Sequence, residues 1–134
     1  MKIRWTSGSL RLRISPTELA SLERGEPLEE RLRIPGAPVG SSWTVLLLPG
    51  GTQSEISASG NVVLFDISKA DVETLADFTC EGVYCYQSGP GNDSEAFSFY
   101  VEKDFPCVHP RPSQISEPDS ETFPSPVGFE ERKV

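Results

Sequence analysis

The sequence is poor in most of what catalysis and membrane insertion require. It has one histidine, three cysteines and one methionine among 134 residues. No Gly-rich phosphate loop, nucleophile elbow or HExxH metal motif occurs. No complete catalytic set is legible, so the chain reads as non-enzymatic rather than as an enzyme, and nothing in it asks for a cofactor. Long apolar runs are missing too. A run such as Val45-Leu46-Leu47-Leu48 falls far short of the roughly 18 residues that cross a bilayer. The opening Met1-Lys2-Ile3-Arg4-Trp5 alternates charged and apolar residues and lacks the continuous apolar core of a secretory signal. Three cysteines, Cys80, Cys85 and Cys107, are an odd number, whereas a secreted disulfide framework uses an even one. The expectation is a cytoplasmic protein with reduced thiols and no membrane association.

Positive charge is scarce as well. Twelve Lys and Arg face twenty Asp and Glu, for a net charge of −8. That balance disfavours nucleic acid as a partner, because a phosphate backbone needs clustered cations. The cations are unevenly placed. Residues 1–34 hold seven basic and five acidic side chains, for +2. Residues 35–104 hold two and ten, for −8, and residues 105–134 hold three and five, for −2. A basic first quarter on an acidic molecule asks for an explanation.

The remaining composition is globular, with 37% hydrophobic and 24% charged residues. A chain of 134 residues has the size of one domain. Twelve prolines and eleven glycines favour turns and short strands over a helix bundle. Lys2 to Trp5 reads as a strand, Ser7-Gly8 as a turn, and Leu10-Arg11-Leu12-Arg13-Ile14 as a strand with arginines on one face. Ser15-Pro16-Thr17-Glu18 starts a helix: Ser15 caps, Pro16 sits at the first helical position, and Glu18 closes a capping box. Leu19 and Leu22 form its apolar side and Gly25 stops it. Leu28 to Ile34 alternates again, and Trp43 to Leu48, apolar on both faces, reads as a central strand covered on both sides.

The chain then starts again. Glu55 to Ala58 and Val62 to Ile67 are strands around the turn Ser59-Gly60-Asn61, and Ser68-Lys69-Ala70-Asp71 is a second cap, with Val72 and Leu75 on the apolar side. Gly82 to Gln87 and Ala96 to Lys103 are two further strands around a turn-rich loop, Ser88 to Asp93. A shift of 53 residues lays Ile14, Ser15, Glu18, Leu19 and Leu22 on Ile67, Ser68, Asp71, Val72 and Leu75. One reading is a twofold β-β-α-β-β arrangement. The other is that any two strand-to-helix junctions share cap chemistry. The fold expected is α+β: a mostly antiparallel, twisted or partly closed sheet of about eight short strands with two short helices. Residues 1–104 form this domain, and residues 105–134, with six prolines, form an extended tail packed on it or trailing from it. Phe105, Phe123, Val127 and Phe129 are its candidate anchors.

Three stretches carry a resemblance: Met1-Lys2-Ile3-Arg4 with Ser9-Leu10-Arg11-Leu12-Arg13-Ile14-Ser15, then Val101-Glu102-Lys103-Asp104-Phe105-Pro106-Cys107, and Phe123-Pro124-Ser125-Pro126. The chain resembles a family of small bacterial proteins of unknown function, which implies a compact intracellular protein with no established activity. Trp5, Cys80 and Cys85 depart from the family's pattern, so the extra cysteine pair looks incidental to whatever the family does.

Two constellations remain. Arg11 and Arg13 share one strand face and Arg31 and Arg33 share another. If those strands are neighbours, and Lys2 and Arg4 align across the first hairpin, they form one basic stripe. Such a stripe suits an anionic small molecule or an acidic protein surface, because guanidinium presents a planar donor fork. The plain alternative is a solvated face neutralised by Glu29 and other carboxylates. Glu102 and Asp104 are expected to pair with the arginine strands. The second constellation is Asp104, Cys107 and His109, where an imidazole two residues from a thiol favours a reactive thiolate or a metal site. A small cysteine anchoring the tail is the plain alternative there. Trp5, Trp43, Tyr84, Tyr86, Phe97 and Phe99 read as core or interface. Two further expectations are a self-associating module, since open sheets offer edges, and an eight-stranded tunnel for polyphosphate-like ligands, though the Glu-x-Glu-x-Lys opening of such enzymes is missing.

Overall fold

Local chemistry sets the two strand-to-helix junctions. In the computed structural model, which describes residues 1–89, 92–106 and 122–124, α1 spans Pro16–Glu23 and α2 spans Lys69–Ala76. Ser15 Oγ accepts the Glu18 N–H at 3.2 Å, and Glu18 Oε1 accepts the Ser15 N–H at 3.0 Å, completing the capping box. Ser68 Oγ accepts the Asp71 N–H at 3.1 Å in the equivalent place. Gly25, just past the C-cap of α1, has φ +80°, a left-handed conformation that a Cβ would disfavour.

Each helix joins two hairpins. The first half runs β1 (Lys2–Thr6), β2 (Ser9–Ile14), α1, β3 (Leu28–Leu32), β4 (Trp43–Gly51), and the second runs β5 (Glu55–Ser59), β6 (Val62–Ser68), α2, β7 (Gly82–Gly89), β8 (Asn92–Lys103). The β-β-α-β-β order thus occurs twice, with Ser15 and Ser68 as paired N-caps. Gly60, at φ +56°, takes the first position of the two-residue turn between β5 and β6.

The strands form two four-stranded sheets instead of one eight-stranded sheet. Sheet A has the order β1-β2-β8-β7 and sheet B the order β3-β4-β6-β5. Each half contributes one hairpin to each sheet. The pairs inside hairpins are antiparallel, while the central pairs, β2 with β8 and β4 with β6, are parallel. Among the described residues four of the six strand pairings are antiparallel, as expected, while the eight strands divide between two mixed sheets of four. The reason is burial: two eight-residue helices are too few to cover the apolar face of eight strands, so the two inner faces cover each other. Among the described residues neither sheet closes into a barrel, the geometry that a tunnel requires.

The core is continuous across both sheets. Leu10, Leu12 and Ile14 of β2, Val45 and Leu47 of β4, Phe65 and Ile67 of β6, and Phe99 and Val101 of β8 are buried together with Leu22 and Leu75 of the helices. Phe65 and Phe99 meet edge-to-face between the sheets, with ring centroids 5.0 Å apart. Each such side chain contributes roughly 1.5–3 kcal/mol by leaving water. At one open side, Gln87 of β7 clips the edge of β5: its Oε1 accepts the Ile56 N–H at 3.2 Å and its Nε2 donates to the Ile56 carbonyl at 3.1 Å. The expectation for β4 holds on one face. Val45 and Leu47 are buried, whereas Leu46 and Leu48 on the other face are half-buried.

Two charged residues are built into the end of β8. Lys103 is buried, donates to the Asp77 carbonyl at 2.8 Å and lies 5.5 Å from the centroid of the Phe123 ring. Asp104 is also buried; its carboxylate takes the Lys2 ammonium at 2.8 Å, and its carbonyl accepts the Phe123 N–H at 2.8 Å. Phe123 and Phe105 make an edge-to-face contact. Phe105 and Phe123 therefore anchor the segment after β8; Val127 and Phe129 lie outside the described residues.

Candidate functional site

Strand alternation decides which side chains of sheet A face outward. Ile3, Leu10, Leu12, Val83, Phe99 and Val101 point to the core, so their neighbours point away. Pairing then arranges those neighbours in rows. One row runs Lys2, Arg13, Glu102, Gly82, and the next runs Arg4, Arg11, Tyr100, Tyr84. The third runs Thr6, Ser9, Ser98, Tyr86. The outer face is a basic half on β1–β2 beside a tyrosine half on β7–β8.

The two halves are joined. Arg11 Nε donates to Glu102 Oε1 at 3.0 Å, and its guanidinium lies 5.8 Å from the centroid of the Tyr100 ring. Tyr100 and Tyr84 are tilted against each other with centroids 5.4 Å apart. Glu102 lies flat over Gly82, where a Cβ would come within 2.9 Å of both Glu102 Cγ and the Val101 carbonyl oxygen. Partial burial, followed by the charges of Glu102 and Glu81, pushes the Tyr84 phenol above its ordinary pKa.

The basic half is arranged at a cost. Lys2 lies directly opposite Arg13, and Arg4 directly opposite Arg11. Cross-strand neighbours sit about 4.5–5.5 Å apart at Cβ, and like charges there repel. Lys2 is relieved by Asp104 and Arg11 by Glu102, which is the pairing expected for the two carboxylates. Among the described residues, Arg4 and Arg13 have no acidic partner within 4.0 Å.

Of the sequence-derived candidates, Arg4, Arg11 and Arg13 come together on this face. Arg31 and Arg33 do not join them, because α1 carries the chain from β2 in sheet A to β3 in sheet B. Arg31 Nη2 donates to Glu29 Oε1 at 3.0 Å on the outer side of sheet B, and Arg33 is exposed just beyond β3. The single stripe of five arginines is thus split between two sheets. Asp104 is held by Lys2, while Cys107 and His109 lie outside the described residues. Among the described residues no group of three His, Cys, Asp or Glu side chains is placed to hold a metal ion. Cys80 and Cys85 are free, and burial together with nearby Asp71 pushes the Cys85 thiol up. An open groove of about 370 Å³ between the helices, lined by Leu22, Arg24, Pro49, Lys69 and Glu73 among others, mixes both charge signs.

Sequence reasoning left the strand aromatics open between core and interface. Tyr84 and Tyr86 are 61% and 64% exposed, and Trp5 and Trp43 are about half exposed at 56% and 49%, whereas Phe99 is the one ring of the six that is fully buried. The available signal was period two: Val83 and Cys85 are the inward partners of Tyr84 and Tyr86 in one strand.

A family model for a family of unknown function, DUF7009, matches residues 1–127. The chain belongs to that family. The match spans both hairpins of sheet A, both helices and the Phe123 anchor, so the basic-tyrosine face of this DUF7009 member lies wholly inside it. Comparison with curated proteins and with solved structures returned no match. No helix among the described residues is long and apolar enough to cross a membrane.

Proposed function

We propose that this protein is a non-enzymatic binding protein whose working surface is the outer face of sheet A, with Lys2, Arg4, Arg11 and Arg13 receiving an anionic ligand or acidic partner. The observation that carries the reading is the double like-charge register, Lys2 against Arg13 and Arg4 against Arg11, with Arg4 and Arg13 unpaired among the described residues. Repulsion of that kind lowers stability, and a bound anion removes it. The tyrosines supply the rest of the surface. Tyr and Arg are enriched among residues that dominate binding energy, because they combine contact area with directed polar groups. A molecule carrying −8 overall repels other anions at long range, so binding depends on short-range contact with this face.

The test is a pair of variants. Arg4→Glu with Arg13→Glu should reduce capture of anionic probes and acidic proteins at least tenfold in pull-down and titration. Arg31→Glu, on the other sheet, should leave capture within about twofold. Equal capture by all three proteins would remove the reading.

A further inference from the structure

Four strands lie at sheet edges, and they differ. β5 and β7 are clipped together by the Gln87 side chain. β3 carries two acidic residues, Glu29 and Glu30, beside its one cation, Arg31. Among the described residues β1 is the remaining edge, with β2 as its one neighbour. It carries Lys2 and Arg4 and no acidic residue. Among the described residues, no backbone hydrogen bond joins β1 to anything but its sheet partner. An edge of this kind holds a row of N–H and C=O groups open to another strand.

Resting on the reading above, we infer that β1 receives an extended segment of an acidic partner protein as an added strand, with acidic and apolar residues alternating along it. The two faces of the added strand are specified separately. On the outer face, carboxylates two residues apart fall beside Lys2 and Arg4 and within reach of Arg13 and Arg11. On the inner face, apolar side chains fall beside Ile3, half-buried against the core, and Trp5, which is 56% exposed although it points to the same side as buried Leu10. Main-chain bonds along the edge supply affinity and the alternating side chains supply specificity, as in other strand-addition complexes. The same cations work against the obvious competitor. Pairing β1 with β1 of a second copy places Lys2 and Arg4 among like charges, which disfavours self-pairing.

The probe is an acetylated and amidated heptapeptide alternating Glu and Val, titrated into the isotopically labelled full chain and followed by amide NMR. The expected result is saturable binding, with slowed amide exchange at Ile3 and Trp5 and no response in β3. Three controls separate the outcomes. N-methylation of alternate amides in the peptide keeps its charge and removes its ladder bonds, and should weaken binding at least tenfold. Lys2→Glu with Arg4→Glu should abolish binding of the Glu peptide and confer binding of the Lys-Val counterpart. Inorganic pyrophosphate tests the anion-binding face without any strand. Equal binding of the N-methylated and parent peptides overturns strand addition and leaves the face reading intact. So does binding of pyrophosphate alone, or a concentration-dependent dimer occupying β1. Failure of every anionic probe to bind overturns both.

Discussion

The outer faces of the two sheets share one backbone plan and carry different chemistry. In sheet A the second row reads Arg4, Arg11, Tyr100, Tyr84; the equivalent row of sheet B reads Ser57, Leu64, Leu46, Glu29. Lys2 opposite Arg13 becomes Glu55 opposite Asp66, a like-charge pair of the other sign. The inner faces, by contrast, are interchangeable in kind: Leu12 beside Val101 in one sheet and Phe65 beside Leu47 in the other, all four fully buried. Strand order and register follow from what is buried, because a one-residue slip would turn every core side chain outward. The outer faces are released from that constraint. Their difference is where a functional distinction between the halves has room to exist.

The largest test of this plan lies at the seam of the two inner faces. Phe65→Ala and Phe99→Ala should each lower stability by about 3–5 kcal/mol in urea unfolding, since each removes a fully buried ring from a packed site. Their effects should not add, because the rings touch edge-to-face. A loss several-fold larger in one sheet than in the other would mean that the halves are not mechanically equivalent.

The caps come next. Ser15→Ala and Ser68→Ala should each cost about 1 kcal/mol, from loss of one N-terminal acceptor. The halves then diverge at the third helical residue. Glu18 both accepts the Ser15 N–H and takes the Met1 ammonium at 2.6 Å, whereas Asp71 takes the Ser54 hydroxyl at 2.5 Å. Glu18→Gln should therefore cost more than Ser15→Ala, by a margin that thermal unfolding at low and high salt can read. Equal costs at both ionic strengths would reduce the ammonium contact to a bystander.

These junctions were legible because they are local. Ser-Pro-x-Glu states its own hydrogen bonds within four residues, and alternating Leu and Arg in Ser9–Ile14 names a buried and an exposed face. The 53-residue offset carried the twofold order for the same reason. Strand neighbours were not legible. Whether Arg31 lies beside Arg13 depends on where α1 delivers the chain, and short strands pair equally well within one sheet or two. Tyr84 and Tyr86 stayed open between core and interface for a different reason: an aromatic ring in a strand suits either place, and the inward Val83 and Cys85 show which side these two take. The site was thus half readable. Its cations followed from alternation, while the place of the tyrosines beside them depended on the long-range pairing of β2 with β8.

The smallest expected effect bears most directly on function. If Lys2–Arg13 and Arg4–Arg11 repel, then Arg4→Thr should raise stability by about 0.2–0.5 kcal/mol in the absence of ligand. In the other sheet, Glu55→Lys turns the Glu55–Asp66 repulsion into attraction and should gain a similar amount. Both gains should shrink in 1 M salt, where the screening length falls to about 3 Å. A residue kept for packing behaves oppositely, because truncating it loses buried contact. A measured loss for Arg4→Thr, unchanged by salt, would assign the guanidinium a structural partner and remove the basis for placing an anion there. A gain in stability accompanied by a loss of binding would locate at one side chain the trade between folding and recognition that distinguishes sheet A from sheet B.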